Sequence, residues 1–263
     1  MIRSILMRMI YNSKYDIIDQ NISDGQMGAR KGKSCRNNIW IINGIIHETL
    51  KAKKKKPIIL QIYDFAQMFD SINLKDAISD IYDYGLDDDN LGLIYKANSE
   101  VHMAVKTPGG LTDRKVIRNS VLQGDTFGSL LASVQVDTIA KDVKKAGLGY
   151  RYKEELEIDI LGLVDDIIAV SEAGHKAQMI NTILNLKSAE KGVQFGVNKC
   201  KVMIIGRELE NVINYPIYAD EWTESYFENE VTGDIEIKEK YEGKIAIEEV
   251  KEQKYLGFVL NSK

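Results

Sequence analysis

Apolar positions recur every three or four residues over 3–18 and again over 35–52, which predicts two helices. Between them lies a loop carrying Gly25, Gly28, Gly32 and Ser34. Lys53–Lys56 and Pro57 end the second helix. The run PIILQIY is continuously apolar and short, the signature of a strand buried on both faces, and it stops at Asp64. Phe65, Met68, Phe69 and Ile72 then fall on one helical face. Asn73 is placed to cap a helix over 74–84 that closes at Gly85, and Asp87 to cap another running to about Ala97. VHMAVKT and LTDRKVI flank Pro108-Gly109-Gly110 and predict a hairpin. Thr126–Lys145 predicts a long helix closed by Gly147, with Phe127, Leu130, Leu131, Val134 and Val143 facing inward.

Two further apolar runs, ILGLV and IIAV, enclose Asp165-Asp166. A helix over about 173–191, a strand near 201–205 and short closing strands complete the pattern, while 207–245 is polar, acidic and without a clear period. No internal repeat is present. This order predicts an α+β fold, an antiparallel sheet backed by helices.

Composition adds little: 263 residues, 44% apolar and 28% charged, are those of an ordinary globular chain. No run approaches the roughly 20 apolar residues that span a bilayer, so no membrane partner is expected. MIRSILMRMI reads as an amphipathic helix, since it lacks the long apolar core and cleavage site of a secretory signal. Cys35 and Cys200 make neither a disulfide framework nor a zinc cluster, and fit a reducing intracellular compartment, nuclear or cytoplasmic. Charge changes the picture more. The net value of −4 disfavours nucleic acid, but residues 1–60 hold twelve basic side chains against four acidic ones. Residues 207–263 hold seven against fourteen. A basic face, not the average, is what a phosphate backbone meets.

The candidate chemistry sits where charge interrupts apolar runs. Asp165 and Asp166 suit a plain polar turn, and Asp64 a helix N-cap. If the two strands are sheet neighbours, however, the three carboxylates converge on one sheet edge. Such a site takes hard divalent cations: Mg²⁺ naturally, Mn²⁺ as a substitute. Two ions there would serve in-line phosphoryl transfer. Gln123-Gly124 precedes a helix and allows close approach to the backbone, or is simply a loop. Lys199 and Lys201 enter an apolar strand and could equally be surface lysines.

Taken in order, these segments resemble the reverse transcriptase domain of non-LTR (LINE-like) retrotransposons. QMGARKGKSCRNNI is similar to that family's Q-x-G-F-R-x-G-x-S-T block, YDFAQMFDSI to its D-F-x-x-x-F-D motif, and VLQGDTFGSLLASVQVD to its Q-G-rich motif. LVDDI resembles the aromatic-A-D-D box, and GVNKCKVM and KYLGFVL the two motifs that follow. The likeness covers residues 20–260, with six individually weak motifs in family order.

The resemblance implies a polymerase palm over 57–263 and a partial, mostly helical fingers region over 1–56. A hairpin insertion would occupy 101–118 and an acidic region 207–250. The implied activity is an RNA-directed DNA polymerase extending a DNA primer on an RNA template from deoxynucleoside triphosphates. Asp64, Asp165 and Asp166 would hold metal. Phe65 and Phe69 would lie at the nucleotide, Phe69 as the gate against a 2′-hydroxyl. Gln123 and Gly124 would contact nucleotide and template base. Lys201, with Lys199 as rival, would approach the triphosphate. Arg30, Lys31, Lys33 and Arg36 would hold the template backbone by salt-sensitive attraction. Leu163 and Val164 replace the box's aromatic and alanine, and Ala29 replaces an aromatic of the first block. The fingertip hairpin and thumb are expected on a longer parent polyprotein.

A non-catalytic nucleic-acid-binding remnant of the same fold is the main alternative. A phospho-acceptor receiver would carry its acidic pair at its first strand, and a nucleotide cyclase would need a Gly-Gly pair where only Gly162 stands. An RNA-dependent RNA polymerase shares the carboxylates but not Phe69 as a sugar gate. No P-loop, H-E-x-x-H or C-x-x-C is present, and His47, His102 and His175 are scattered.

Overall fold

The protein is described by a computed structural model over residues 2–51, 57–117, 121, 126–153, 156–206, 217–228 and 235–261. Helix α1 (Ile2–Asn21) buries Met7, Ile10 and Ile18, and α2 (Cys35–Lys51) buries Ile39, Ile42 and Ile45, each at helical spacing. Every residue of β1 (Ile58–Tyr63) is buried.

The helical face expected from Phe65 onward is interrupted. Phe65–Ala66 form a short strand, β2, and Gln67 turns to a left-handed φ of 49° before the single-turn helix α3 (Met68–Ser71). The cause is non-local: Phe65 pairs with Phe195, the rings stacking with centroids 4.4 Å apart. Beyond it α4 (Leu74–Asp83) and α5 (Asp88–Asn98) start as expected. The Asn73 side chain accepts from the Lys75 N–H at 2.9 Å, and Asp87 from that of Asn90 at 3.1 Å. Gly85 follows α4 at φ 96°.

The expected hairpin is present as nested pairs, β3 (Val101–Met103) with β6 (Lys115–Ile117) and β4 (Lys106–Thr107) with β5 (Gly110–Leu111). Helix α6 (Thr126–Lys145) buries all five residues predicted to face inward. Strands β7 (Tyr150–Lys153), β8 (Leu156–Ile158), β9 (Ile160–Leu163) and β10 (Asp166–Ser171) lead to α7 (Gly174–Glu190). Then come β11 (Gln194–Phe195), a 3-10 turn (Val197–Lys199) and β12 (Lys201–Ile205).

Within the unassigned acidic region, β13 (Tyr218–Glu228) and β14 (Ile235–Ala246) form an antiparallel ribbon with an irregularity at Glu221/Trp222. Both strands are dense in Glu, with Lys in the second, so the alternation that marks a strand is faint. Strands β15 (Glu248–Glu249), β16 (Glu252–Tyr255) and β17 (Phe258–Asn261) close the chain.

The central sheet runs β15-β12-β1-β10-β9, antiparallel except for the parallel β12–β15 pair. Alternate side chains enter two cores. Ile59, Tyr63, Ile167, Ala169 and Val202 face a layer of α1, α4, α6 and α7. Ile58, Leu60, Ile62, Ile168, Val170 and Met203 face α2 and the β16–β17 hairpin. Burial on both sides explains why these strands read as continuous apolar runs. Among the described residues no helix is long and apolar enough to cross a membrane.

The loop between α1 and α2 is laced by one side chain. Arg30, whose side chain is only 6% exposed, donates Nε to Asp19 Oδ1 at 2.6 Å, Nη1 to the carbonyls of Ser23 and Gln26, and Nη2 to that of Asp19. Burial raises the Asp19 carboxyl, but hydrogen bonds from Arg30 and Tyr15 and the guanidinium charge outweigh it and hold the group below its ordinary 3.8. Arg30→Ala should cost about 2–3 kcal/mol in urea unfolding at neutral pH. Because Asp19's folded pKa is depressed, this stabilisation is present above 3.8 and is lost as pH falls through the folded value, so the deficit should shrink in acid.

Candidate active site

Antiparallel pairing places the end of β1 beside the beginnings of β10 and β12. In register, Tyr63 opposes Ile167 and Ile62 opposes Lys201. Asp64, next after β1, therefore lies at the same sheet end as Asp165 and Asp166, which occupy the β9–β10 turn and the first position of β10. Lys199 and Lys201 flank the entry to β12 there. Three neighbouring strands thus deliver three carboxylates and two ammonium groups to one end of the sheet.

The carboxylates sense one another. Burial raises the Asp165 pKa, and the charge of Asp64 adds to the shift. Partial desolvation raises Asp166, followed by the charges of Asp165 and Asp64. Among the described residues no three His, Cys, Asp or Glu side chains are gathered closely enough to form a metal-ligand cluster. The donor chemistry still fits a hard dication: oxygen-only ligands, with negative charge in excess of its partners.

The two lysines part company. Lys199 Nζ donates to Asp64 Oδ1 at 3.1 Å, whereas Lys201 Nζ bonds Glu248 Oε2 and the Asn198 carbonyl, each at 2.8 Å. The 3-10 turn before β12 causes the difference, because it carries Lys199 toward β1. That loop is latched by Gly196 N–H donating to the Asp64 carbonyl at 2.9 Å. Beside it, burial pushes the Cys200 thiol up to about 11, so it is no nucleophile at neutral pH.

Phe65 is buried in the Tyr63–Phe195 aromatic cluster, while Phe69 is partly buried against the main core. Gln123 and Gly124 lie outside the described residues. Of the four expected template-binding cations, Arg30 is bonded inside the fold. Lys31 is exposed with its ammonium 4.2 Å from the Tyr15 ring centroid, Lys33 is half-buried, and Arg36 is exposed on the first turn of α2.

One contributor was not singled out by sequence reasoning. Gln26 bonds the backbone of Val164, the residue before Asp165, through both ends of its amide. Its only sequence signal was membership of the Q-x-G block.

An antiparallel central sheet backed by helices is a palm-like fold. The chain belongs to the reverse transcriptase (RNA-dependent DNA polymerase) family, which it matches over residues 2–260. No curated protein matches its sequence. Its fold is similar to telomerase from Candida tropicalis in complex with a fragment of telomeric RNA, with TM-score 0.57 and 14% identity over 88% of this chain and 36% of that one. Apo telomerase from the same organism, truncated of its C-terminal domain, gives 0.56 and 13% over 97% and 43%. Candida albicans telomerase gives 0.52 and 12% over 76% and 33%. The chain thus spans between a third and somewhat under half the length of these telomerases.

Because the folded pKa of Asp165 is raised, its ionisation opposes folding: stability present below 3.8 is lost as pH rises through the folded value. In metal-free buffer at neutral pH, Asp165→Asn should melt higher than wild type, by differential scanning calorimetry. That advantage should vanish below pH 3.8.

Proposed function

We propose that this chain is the catalytic palm, with part of the fingers over 1–56, of an RNA-directed DNA polymerase of the non-LTR retrotransposon type. The observation that carries the reading is the delivery of Asp64, Asp165 and Asp166 to one sheet end, in a chain of the reverse transcriptase family. Asp64 and Asp165, with Asp166 beside them, would hold Mg²⁺. Bound there, the cations would lower the pKa of a primer 3′-hydroxyl and neutralise the departing pyrophosphate.

The chain's own residues set the rest. Lys199, already against Asp64, supplies positive charge near the triphosphate, in preference to Lys201, which is bonded to Glu248. Phe69 walls the position of the incoming sugar, and Gln123 and Gly124 approach the nucleotide and template base. Lys31, Lys33 and Arg36 attract the template backbone, while Arg30 shapes the loop that presents them.

Primer extension on an RNA template with Mg²⁺ and deoxynucleotides tests the reading. Extension by wild type and about a hundredfold to thousandfold loss in Asp165→Asn is expected, what removing a principal charge-stabilising group costs. Equal extension by both proteins would refute the metal-ligand assignment. Salt-sensitive RNA binding without extension by either would favour a non-catalytic remnant. Lys199→Ala should lower the extension rate about a hundredfold, and Lys201→Ala should leave it nearly unchanged. The reverse order would return the role to Lys201.

A further inference from the structure

The two-residue turn between β9 and β10 depends on a backbone conformation that its own residue disfavours. Val164 sits at φ 61°, a left-handed region that β-branched side chains rarely occupy unaided. Both of its backbone polar groups are taken by one side chain. Gln26 Nε2 donates to the Val164 carbonyl at 3.1 Å, and the Val164 N–H donates to Gln26 Oε1 at 3.0 Å.

Gln26 is 4% exposed, and its orientation is set independently. Oε1 also accepts the Gly28 N–H at 2.8 Å, so the oxygen faces two donors and the nitrogen the acceptor. The approach is close enough to exclude side chains. A Cβ at Gly28 would lie 2.2 Å from Val164 N, and one at Gly162 would meet the Gln26 amide at 3.0 Å. The backbone is joined as well, with Met27 N–H donating to the Gly162 carbonyl at 2.8 Å and Gly162 N–H to that of Gly25 at 2.9 Å.

We propose that Gln26 is a positioning residue for the carboxylate turn. By holding Val164 in the left-handed region it sets the direction in which Asp165 and Asp166 leave the hairpin. The turn geometry stands on the hydrogen bonds alone; its consequence for metal binding rests on the polymerase reading above.

Gln26→Met keeps the bulk and removes the bonds, and Val164→Gly removes the conformational cost at the other end. Amide hydrogen exchange and Mn²⁺ titration followed by electron paramagnetic resonance read the two consequences separately. In Gln26→Met, Val164 N–H should exchange about tenfold faster or more, with Ile167–Val170 unchanged, since only the local bonds of the Gln26 amide are lost. Mn²⁺ affinity should fall about tenfold, and by less than about threefold when the same change is made in Val164→Gly.

Unchanged exchange at Val164, uniform loss of protection across the sheet, or equal Mn²⁺ affinity in wild type and Gln26→Met would each overturn the proposal. If the wild type binds no Mn²⁺, the polymerase reading fails while the exchange pattern still decides the clamp. Should Gln26→Met not fold, recovery on adding Val164→Gly supports the proposal, and no recovery overturns it.

Discussion

A strand sealed on both faces has nowhere to keep a charge except at its ends. β1 and β10 pass between two apolar cores, one under α1, α4, α6 and α7 and the other under α2 and the β16–β17 hairpin. Gln61, the one strongly polar side chain within β1, is bonded to Tyr63 Oη and the Ala177 carbonyl. Ionisable groups are therefore forced to where the strands emerge, and antiparallel order makes β1 emerge where β10 and β12 begin. The acidic site is a consequence of the layering as much as of the residues that form it.

The same constraint explains what could be read from the sequence. Asp64, Asp165 and Asp166 stood out as charges bounding apolar runs, and the runs were continuous because both faces are covered. The caps Asn73 and Asp87 were equally legible, because a capping bond spans only two or three residues. What was hidden depends on distant partners. Phe65 reads as helical until Phe195 is known to lie beside it, and nothing local announces that Gln67 turns left-handed. Which of Lys199 and Lys201 meets Asp64 depends on a three-residue turn that carries one lysine to β1 and leaves the other beside Glu248. Arg30 looked like its basic neighbours, because cations inside a fold and cations on its surface share a one-letter code.

Electrostatically, the sheet end is held short of balance. Lys199 offsets Asp64 from an exposed position, where solvent weakens the attraction, while among the described residues no cation pairs with Asp165 or Asp166, whose charges repel. Uncompensated negative charge at the sheet end opposes the fold that carries it, because burial and mutual repulsion both disfavour the ionised carboxylates.

The loop that carries Gln26 also settles a problem unrelated to catalysis. β9 is the outer strand of the central sheet, and an outer strand with free N–H and C=O groups invites pairing with another chain. Gly25 and Met27 occupy the Gly162 groups that such a partner would need, and the Asn38 side chain adds a bond to the same carbonyl. A Cβ at Gly25 would fall 2.1 Å from the Ile160 carbonyl oxygen, so any side chain there would lift the loop and bare the edge. Damage to this glycine-rich segment would thus show itself as self-association of the protein through the bared edge.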